Sequence, residues 1–125
     1  MNDQKQLIAI AEFCGFTRTL LTGCGWVFKN PNGSVLYCDP DPKGAWEIDR
    51  LPDYLKDLNV IHEAVEKLNK AQSNEWPVQL RAIVLRERKA EVRAGRLNDT
   101  HFYNATAAQR REALLRTIRK WEDGE

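Results

Sequence analysis

The chain has 125 residues and a formal net charge of +1, with 42% hydrophobic and 30% charged residues. This length suits one domain over residues 1–125 that buries a core without disulfides or structural metals. The composition excludes a largely disordered chain, and no apolar run reaches the roughly 18 residues of a membrane span.

A first helix is predicted between residues 3 and 14. Asn2 or Asp3 supplies the cap at its start, and Gly15 ends it. Four residues form an apolar stripe at helical spacing. They are Leu7, Ile10, Ala11 and Cys14.

A β-hairpin is predicted next, because residues 26–30 and 34–38 are rich in aromatic and β-branched side chains. The turn between them contains Pro31, which presets φ, and Gly33, which accepts a left-handed conformation. A three-residue loop places Asn30 opposite Ser34, Phe28 opposite Leu36, and Trp26 opposite Cys38. Residues 20–24 either lengthen this hairpin or form a further short strand.

A second helix is predicted from Pro52 or Asp53, with a buried stripe at helical spacing. The stripe contains Tyr54, Leu58, Ile61, Val65 and Leu68. Residues 71–77 interrupt the helical pattern, and Ser73 or Asn74 caps the following helix. Residues 78–84 alternate as in a strand, but the length and composition of residues 77–95 favour a helix that stops at Gly95.

The last part of the chain predicts a loop or short strand over residues 96–104, followed by a final helix. Thr106 caps this helix, and Gln109 completes a capping box. Its inner stripe contains Ala107, Leu114, Ile118 and Trp121. These elements predict an α+β fold, in which a small antiparallel sheet built on one hairpin packs against three to four helices in an α-β-α sandwich-like arrangement.

The three cysteines, Cys14, Cys24 and Cys38, are interpreted as buried core side chains. Zinc sites usually contain closely spaced Cys or His pairs, and neither these cysteines nor the two histidines show such pairs. A disulfide between Cys24 and Cys38 is the geometric alternative, but a cytoplasmic chain would keep it reduced. We therefore expect neither a metal nor another cofactor.

The second helix also carries a polar stripe of Asn59, His62, Glu63 and Glu66. This spacing places an imidazole and two carboxylates on one face, which suits acid–base chemistry, the donation of two ligands to a metal, or a binding patch. The alternative is an ordinary solvated face. The sequence contains no recognised catalytic motif, so an enzyme is not the favoured reading.

Positive charge is concentrated in the downstream half of the chain. Residues 76–125 contain 11 Lys or Arg and 7 Asp or Glu, whereas residues 1–75 contain 8 and 11. Arginine forks bind phosphate or carboxylate with two hydrogen bonds. The candidate ligand-binding arginines are Arg81, Arg86, Arg88, Arg93, Arg110, Arg111, Arg116 and Arg119, with Trp46 and Tyr37 as rings that stack on a base. The alternative is a set of solvated helix faces.

Arg111 falls on the predicted inner stripe of the final helix, between Ala107 and Leu114. A guanidinium there needs a carboxylate partner or must extend to solvent. Glu63 and Asp57 are the expected partners. Without one, Arg111 would be an anion receptor.

Three segments together resemble a family of small bacteriophage and prophage proteins, described as the phage ABA-sandwich domain. They are IAEFCGFTR with the NPNG turn after it, LPDYLKDLNVIHEAVEKL, and NATAAQRREALLRTIRKWE. The resemblance implies helices on both sides of a small sheet and a phage origin, but no catalytic residues. The Arg-rich residues 76–100 do not match the family pattern.

These observations predict a phage-encoded, non-enzymatic binding protein that acts in the bacterial cytoplasm against a host defence system. Its partner would be an anionic nucleotide signal or a host protein. Nucleic acid, bound by the same arginines, is an alternative partner, and a small hydrolase using His62, Glu63 and Glu66 is the enzymatic alternative. Homo-oligomerisation stays open, and no membrane association is expected.

Overall fold

The computed structural model of the protein describes residues 1–23, 25–41, 43–96 and 98–123. In chain order its elements are α1 (Asp3–Phe13), β1 (Thr17–Leu21), β2 (Gly25–Lys29), β3 (Val35–Asp39), a 3-10 turn (Ile48–Arg50), α2 (Leu58–Val65), α3 (Lys70–Glu87), α4 (Lys89–Arg93), α5 (Asp99–Tyr103) and α6 (Ala107–Thr117). The predicted α+β class is confirmed. The described residues form more helices than expected because α4 and α5 are short additions.

The first and last helices begin where the sequence places them. The Asn2 side chain accepts from the Lys5 backbone N–H at 2.8 Å, and the thiol of Cys14 is buried. At the start of α6, Thr106 and Gln109 form the predicted reciprocal capping box. Both starts are confirmed because capping depends on local chemistry that the sequence carries directly.

The three strands form an antiparallel sheet in the order β1-β2-β3. The Asn30 N–H donates to the Ser34 carbonyl at 3.0 Å, as the predicted loop requires. The predicted register fails further along, because Phe28 lies opposite Tyr37 and not Leu36, and Trp26 lies opposite Asp39 and not Cys38.

The cause is a β-bulge next to Phe28, which adds one residue to β3. The bulge places the Tyr37 ring on the Phe28 ring, with centroids 4.4 Å apart and an interplanar angle of 14°. Leu36 also packs against the core. An unbulged hairpin would turn one of these two neighbours away from the core, since side chains alternate along a strand.

β1 is the further strand that residues 20–24 suggested, although it begins earlier, at Thr17. All five of its residues are exposed, and it forms one edge of the sheet. Cys24, at the end of the predicted segment, lies outside the described residues.

α2 begins later than predicted, at Leu58, because Asp57 is its cap. Asp53 instead organises a separate turn, accepting from the backbone N–H groups of Leu55 and Lys56. Leu58 is therefore 49% exposed and not part of the buried stripe. Tyr54, Ile61 and Leu68 are buried as predicted.

α3 contradicts the predicted break at residues 71–77. Asn69 caps it in a box with Gln72, and the helix continues through Pro77 to Glu87. Proline lacks one backbone donor, but tertiary packing offsets that cost here. Trp76, directly before Pro77, packs against both of the core clusters described below.

The prediction for the segment after α3 is correct in part. α4 ends before Gly95, whose φ of +68° supplies the expected stop. The predicted loop or strand is wrong for residues 99–103, which form the short helix α5. Asn98 caps this helix, and the His101 Nδ1 accepts from the Asn98 N–H at 3.1 Å.

Two clusters of buried side chains make up the core, and α6 lies between them. Leu114 and Leu115 pack in the main cluster with α1, Phe28 and Trp46, whereas Ala113 packs in the second cluster with α3. The predicted inner stripe of α6 is therefore too narrow, because it omits the buried Ala113 and Leu115. Of the predicted members, Leu114 is buried, whereas Ala107 and Ile118 are only partly buried. A helix with neighbours on two sides must be apolar on both.

Candidate anion-binding groove

Most of the arginines predicted to bind a ligand are paired with carboxylates of their own chain. Five belong to this group: Arg86, Arg88, Arg111, Arg116 and Arg119. Their respective partners are Glu112, Glu91, Asp3, Glu112 and Glu75. These cations do not converge on one receptor, since their charge is satisfied at several separate places.

Glu112 is the centre of the largest of these networks. Its two oxygens accept from Arg86 Nη1 and Nη2, both at 3.0 Å, and from Arg116 Nε at 2.8 Å. Burial alone would raise the pKa of Glu112, but the bonds from the two guanidinium groups outweigh burial and hold the pKa below its ordinary value. The network joins α3 to α6, so Arg86 and Arg116 stabilise the fold.

Arg111 has a structural role, but with different partners from those predicted. Its Nε donates to the Gln6 Oε1 at 2.7 Å, its Nη1 donates to the Leu55 carbonyl at 2.5 Å, and its Nη2 lies 3.5 Å from Asp3. Neither Glu63 nor Asp57 is its partner, because this side of α6 faces α1. The side chain is only 13% exposed, so Arg111 fixes α6 against α1.

Two of the predicted arginines, Arg81 and Arg110, line one groove between α3, α5 and the start of α6. The groove has a volume of about 530 Å³. Its aromatic lining residues are Trp76, Phe102 and Tyr103. Val78 and Tyr103 are exposed at 64% and 81%, so the groove opens to solvent past apolar side chains.

The groove holds its two cations differently. The Arg110 Nε donates to the Ala105 carbonyl at 3.0 Å, and its Nη2 donates to the Tyr103 carbonyl at 2.7 Å. These bonds anchor the guanidinium against the end of α5. The Arg81 guanidinium carbon lies 4.9 Å from the centre of the Phe102 ring, a cation–π contact. Within the described residues, neither arginine forms an ion pair with a carboxylate.

No carboxylate lines this groove among the side chains that the structure describes. Two cations with no carboxylate among the described lining residues create a positive potential, which a low-dielectric apolar lining strengthens. The Trp76 Nε1 atom is buried, and none of the residues that the structure describes accepts a hydrogen bond from it. The arrangement suits a ligand that combines an anionic group with an apolar or aromatic body.

The two rings predicted to stack on a base lie elsewhere and are already in use. Trp46 is only 8% exposed and packs edge-on against Phe16 and Phe28. Tyr37 stacks on Phe28, and the Arg50 guanidinium carbon lies 5.0 Å from the centre of the Tyr37 ring. Burial raises the pKa of Tyr37. Both rings stabilise the sheet and its core.

The polar stripe of α2 is exposed and does not line the groove between α3, α5 and α6. Asn59 and His62 lie on the solvent side of the helix, and the His62 Nε2 lies 3.0 Å from the Glu66 Oε1. Glu63 lines a different depression beside Cys14. The described residues contain no cluster of three or more potential metal ligands.

The cysteines differ in their environments. Cys14 is buried, and burial raises the pKa of its thiol and of the Tyr54 hydroxyl. Cys38 is exposed on β3, so the prediction that it belongs to the core is wrong. The bulge accounts for this, because it moves Tyr37 and not Cys38 onto the Phe28 face. Cys24 lies outside the described residues.

The candidate residues chosen from the sequence include the two arginines that line the groove but none of its three aromatic rings. Trp76 lies in the predicted helix break, and Phe102 and Tyr103 lie in the predicted loop or short strand over residues 96–104. The available signal was three aromatic residues that belong to no apolar stripe. Arg93, the remaining predicted arginine, is exposed in α4 and does not line the groove.

Comparisons with known proteins give no match for this chain: no family model, no curated protein and no solved structure. None of the described helices has the length and apolar character needed to cross a membrane.

Proposed function

We propose that this protein is a non-enzymatic binding protein that captures an anionic nucleotide in the groove between α3, α5 and α6. One observation carries the proposal. Arg81 and Arg110 line the same aromatic groove, and no described carboxylate neutralises either of them. Five of the other six predicted arginines are paired with the chain's own acidic residues.

A nucleotide combines an anionic phosphate, which suits the two arginines of the groove, with an aromatic base, which suits its rings. A phosphate accepts hydrogen bonds from guanidinium forks, and the anchored Arg110 loses little entropy when it donates them. The exposed ring of Tyr103 offers a face on which a base can stack. Stacking contributes about 1–3 kcal/mol per base, so with the ionic contacts we expect a dissociation constant on the order of 10 to 100 μM.

The resemblance to a phage family supplies the proposed biological role. A phage protein of this kind would act in the host cytoplasm and lower the free concentration of a nucleotide signal used by a defence system. Masking a host protein is the other route to the same effect. The groove favours the nucleotide, because its volume of about 530 Å³ fits a small ligand.

The test uses the full-length protein and an equimolar mixture of the four ribonucleoside 5′-monophosphates. NMR titration should shift the amide signals of Arg81, Phe102 and Tyr103. Arg81→Gln should weaken binding about tenfold, since it removes one charge-assisted contact. Arg93→Gln is the matched control, because Arg93 is exposed and lies outside the groove.

Absence of these shifts would overturn the proposal, as would equal weakening by the two arginine substitutions. A single-stranded oligonucleotide bound far more tightly than any mononucleotide would also overturn it in favour of nucleic acid. That binding would weaken steeply with salt, since each phosphate contact releases a counterion.

A further inference from the structure

The polar side-chain groups that the structure describes in the groove are nearly all hydrogen-bond donors. Guanidinium groups donate and never accept, and the Trp76 indole adds no acceptor because its one polar atom is an N–H, which is buried. The hydroxyl of Tyr103 is the one side-chain acceptor among the described lining residues. The aliphatic lining residues Pro77, Val78 and Leu80 add none.

The backbone acceptors at the end of α5 are already engaged. The Tyr103 carbonyl accepts from Arg110 Nη2 at 2.7 Å, and the Ala105 carbonyl accepts from Arg110 Nε at 3.0 Å. The interaction that anchors the cation therefore occupies one of the two acceptor positions on each of these carbonyls, and so it competes with recognition of an amino group on a base.

Proteins distinguish bases by placing donors and acceptors opposite the base edge. The exocyclic amino groups of adenine, cytosine and guanine require an acceptor, and the described lining side chains offer only the Tyr103 hydroxyl. Stacking on an aromatic ring, in contrast, is tolerant of base identity because every base has a π-face. Tyr103, at 81% exposed, is the ring best placed for such stacking.

We infer that the groove selects a nucleoside monophosphate by its phosphate and by the presence of a ring, without discriminating among the bases. This inference rests on the proposed function. Arg81 and Arg110 bind the phosphate, Tyr103 stacks on the base, and the amino and carbonyl groups of the base stay in water at the open side of the groove.

The experiment titrates the full-length protein separately with AMP, GMP, CMP and UMP, and then with adenosine and with ribose 5-phosphate. We expect the four nucleotide dissociation constants to agree within about tenfold, because no base-edge contact distinguishes them. Adenosine lacks the phosphate and ribose 5-phosphate lacks the ring, so each should bind more than about tenfold more weakly than AMP.

Two variants locate the ring contact. Tyr103→Ala should weaken all four nucleotides by a similar factor of about tenfold, whereas Tyr103→Phe, which keeps the ring, should bind like the wild type. Tyr103 is exposed, so neither change should unfold the protein.

The outcomes separate this inference from the function on which it rests. One nucleotide bound more than about tenfold more tightly than the other three would overturn base tolerance and leave nucleotide capture intact. Loss of affinity in Tyr103→Phe would also overturn it, because the hydroxyl would then read the base. Failure of all four nucleotides to bind would refute the proposed function itself.

Discussion

Replacing Glu112 with glutamine tests whether the arginine network stabilises the fold. The carboxylate is buried between α3 and α6, and it accepts three hydrogen bonds from Arg86 and Arg116. Glutamine has nearly the same shape but carries an NH₂ group where one oxygen stood. That group would face a guanidinium N–H, so a donor would meet a donor in place of an ion pair.

The expected cost follows from the exposure of the partners. Removing one member of a fully buried ion pair costs about 3–5 kcal/mol. The side chains of Arg86 and Arg116 are 47% and 29% exposed, so both cations regain part of their hydration when the carboxylate is lost. We therefore expect Glu112→Gln to lower the free energy of unfolding by about 2 kcal/mol, which for a chain of this length is a fall of about 7 °C in Tm.

Urea and thermal denaturation, followed by far-ultraviolet circular dichroism at pH 7, measure this difference. Its pH dependence gives a second check. The folded pKa of Glu112 is lowered, so the stability it provides is fully present above the unfolded pKa of about 4.3 and is lost as the pH falls through the lower folded pKa. The wild type and the variant should therefore differ by a constant amount down to about pH 5 and converge below about pH 4.

Glu91→Gln is the matched control, because Glu91 makes one ion pair, with Arg88 at 3.3 Å, and both side chains are about one-third exposed. We expect it to change stability by less than about 0.5 kcal/mol. A Glu112→Gln variant as stable as this control, or a difference that persists unchanged at acid pH, would refute the reasoning.

Three further changes probe other parts of the structure. Gly25→Ala should destabilise the sheet by more than about 2 kcal/mol in urea denaturation, since its Cβ would lie 2.5 Å from the Asp39 carbonyl oxygen at a positive φ of 78°. Thr106→Ala should cost about 1 kcal/mol in the same assay, because α6 loses its cap. In a Cys24→Ser background, a thiol reagent should modify the exposed Cys38 at least about 100-fold faster than the buried Cys14, as followed by mass spectrometry.

Each of these predictions has a matched comparison. Gly33→Ala meets no atom within 4 Å at a similar positive φ, so it should cost only the backbone strain, about 1 kcal/mol. Equal effects at Gly25 and Gly33 would contradict the steric argument. Thr106→Ser keeps the hydroxyl and should be nearly neutral. Comparable labelling of the two cysteines under native conditions would show that Cys14 is accessible.

The sequence predicted local features of the fold better than it predicted which elements pack together. The Asn2 and Thr106 caps and the turn at Gly33 depend on a few neighbouring residues, and all are found where expected. The passage of α3 through Pro77 was not predictable in this way. Packing of Trp76 against two clusters overrides a strong local breaking signal.

The arginine partners could not be predicted for a related reason. Arg86 finds Glu112, which is 26 positions away, and Arg111 finds Gln6, which is 105 positions away. No spacing rule relates such residues, because the packing of α6 against α1 and α3 brings them together. A count of charges therefore described the basic half correctly but could not show which cations are neutralised.

The position of α6 between the two core clusters has a consequence for how the molecule opens. Neither cluster can separate from the remainder without exposing side chains of the same helix, since Ala113 belongs to one and Leu114 and Leu115 to the other. The two halves should therefore lose their structure in a single cooperative event. The amide hydrogens of Ala113, Leu114 and Leu115 should accordingly be among the slowest in the protein to exchange with deuterium, at a rate set by global unfolding.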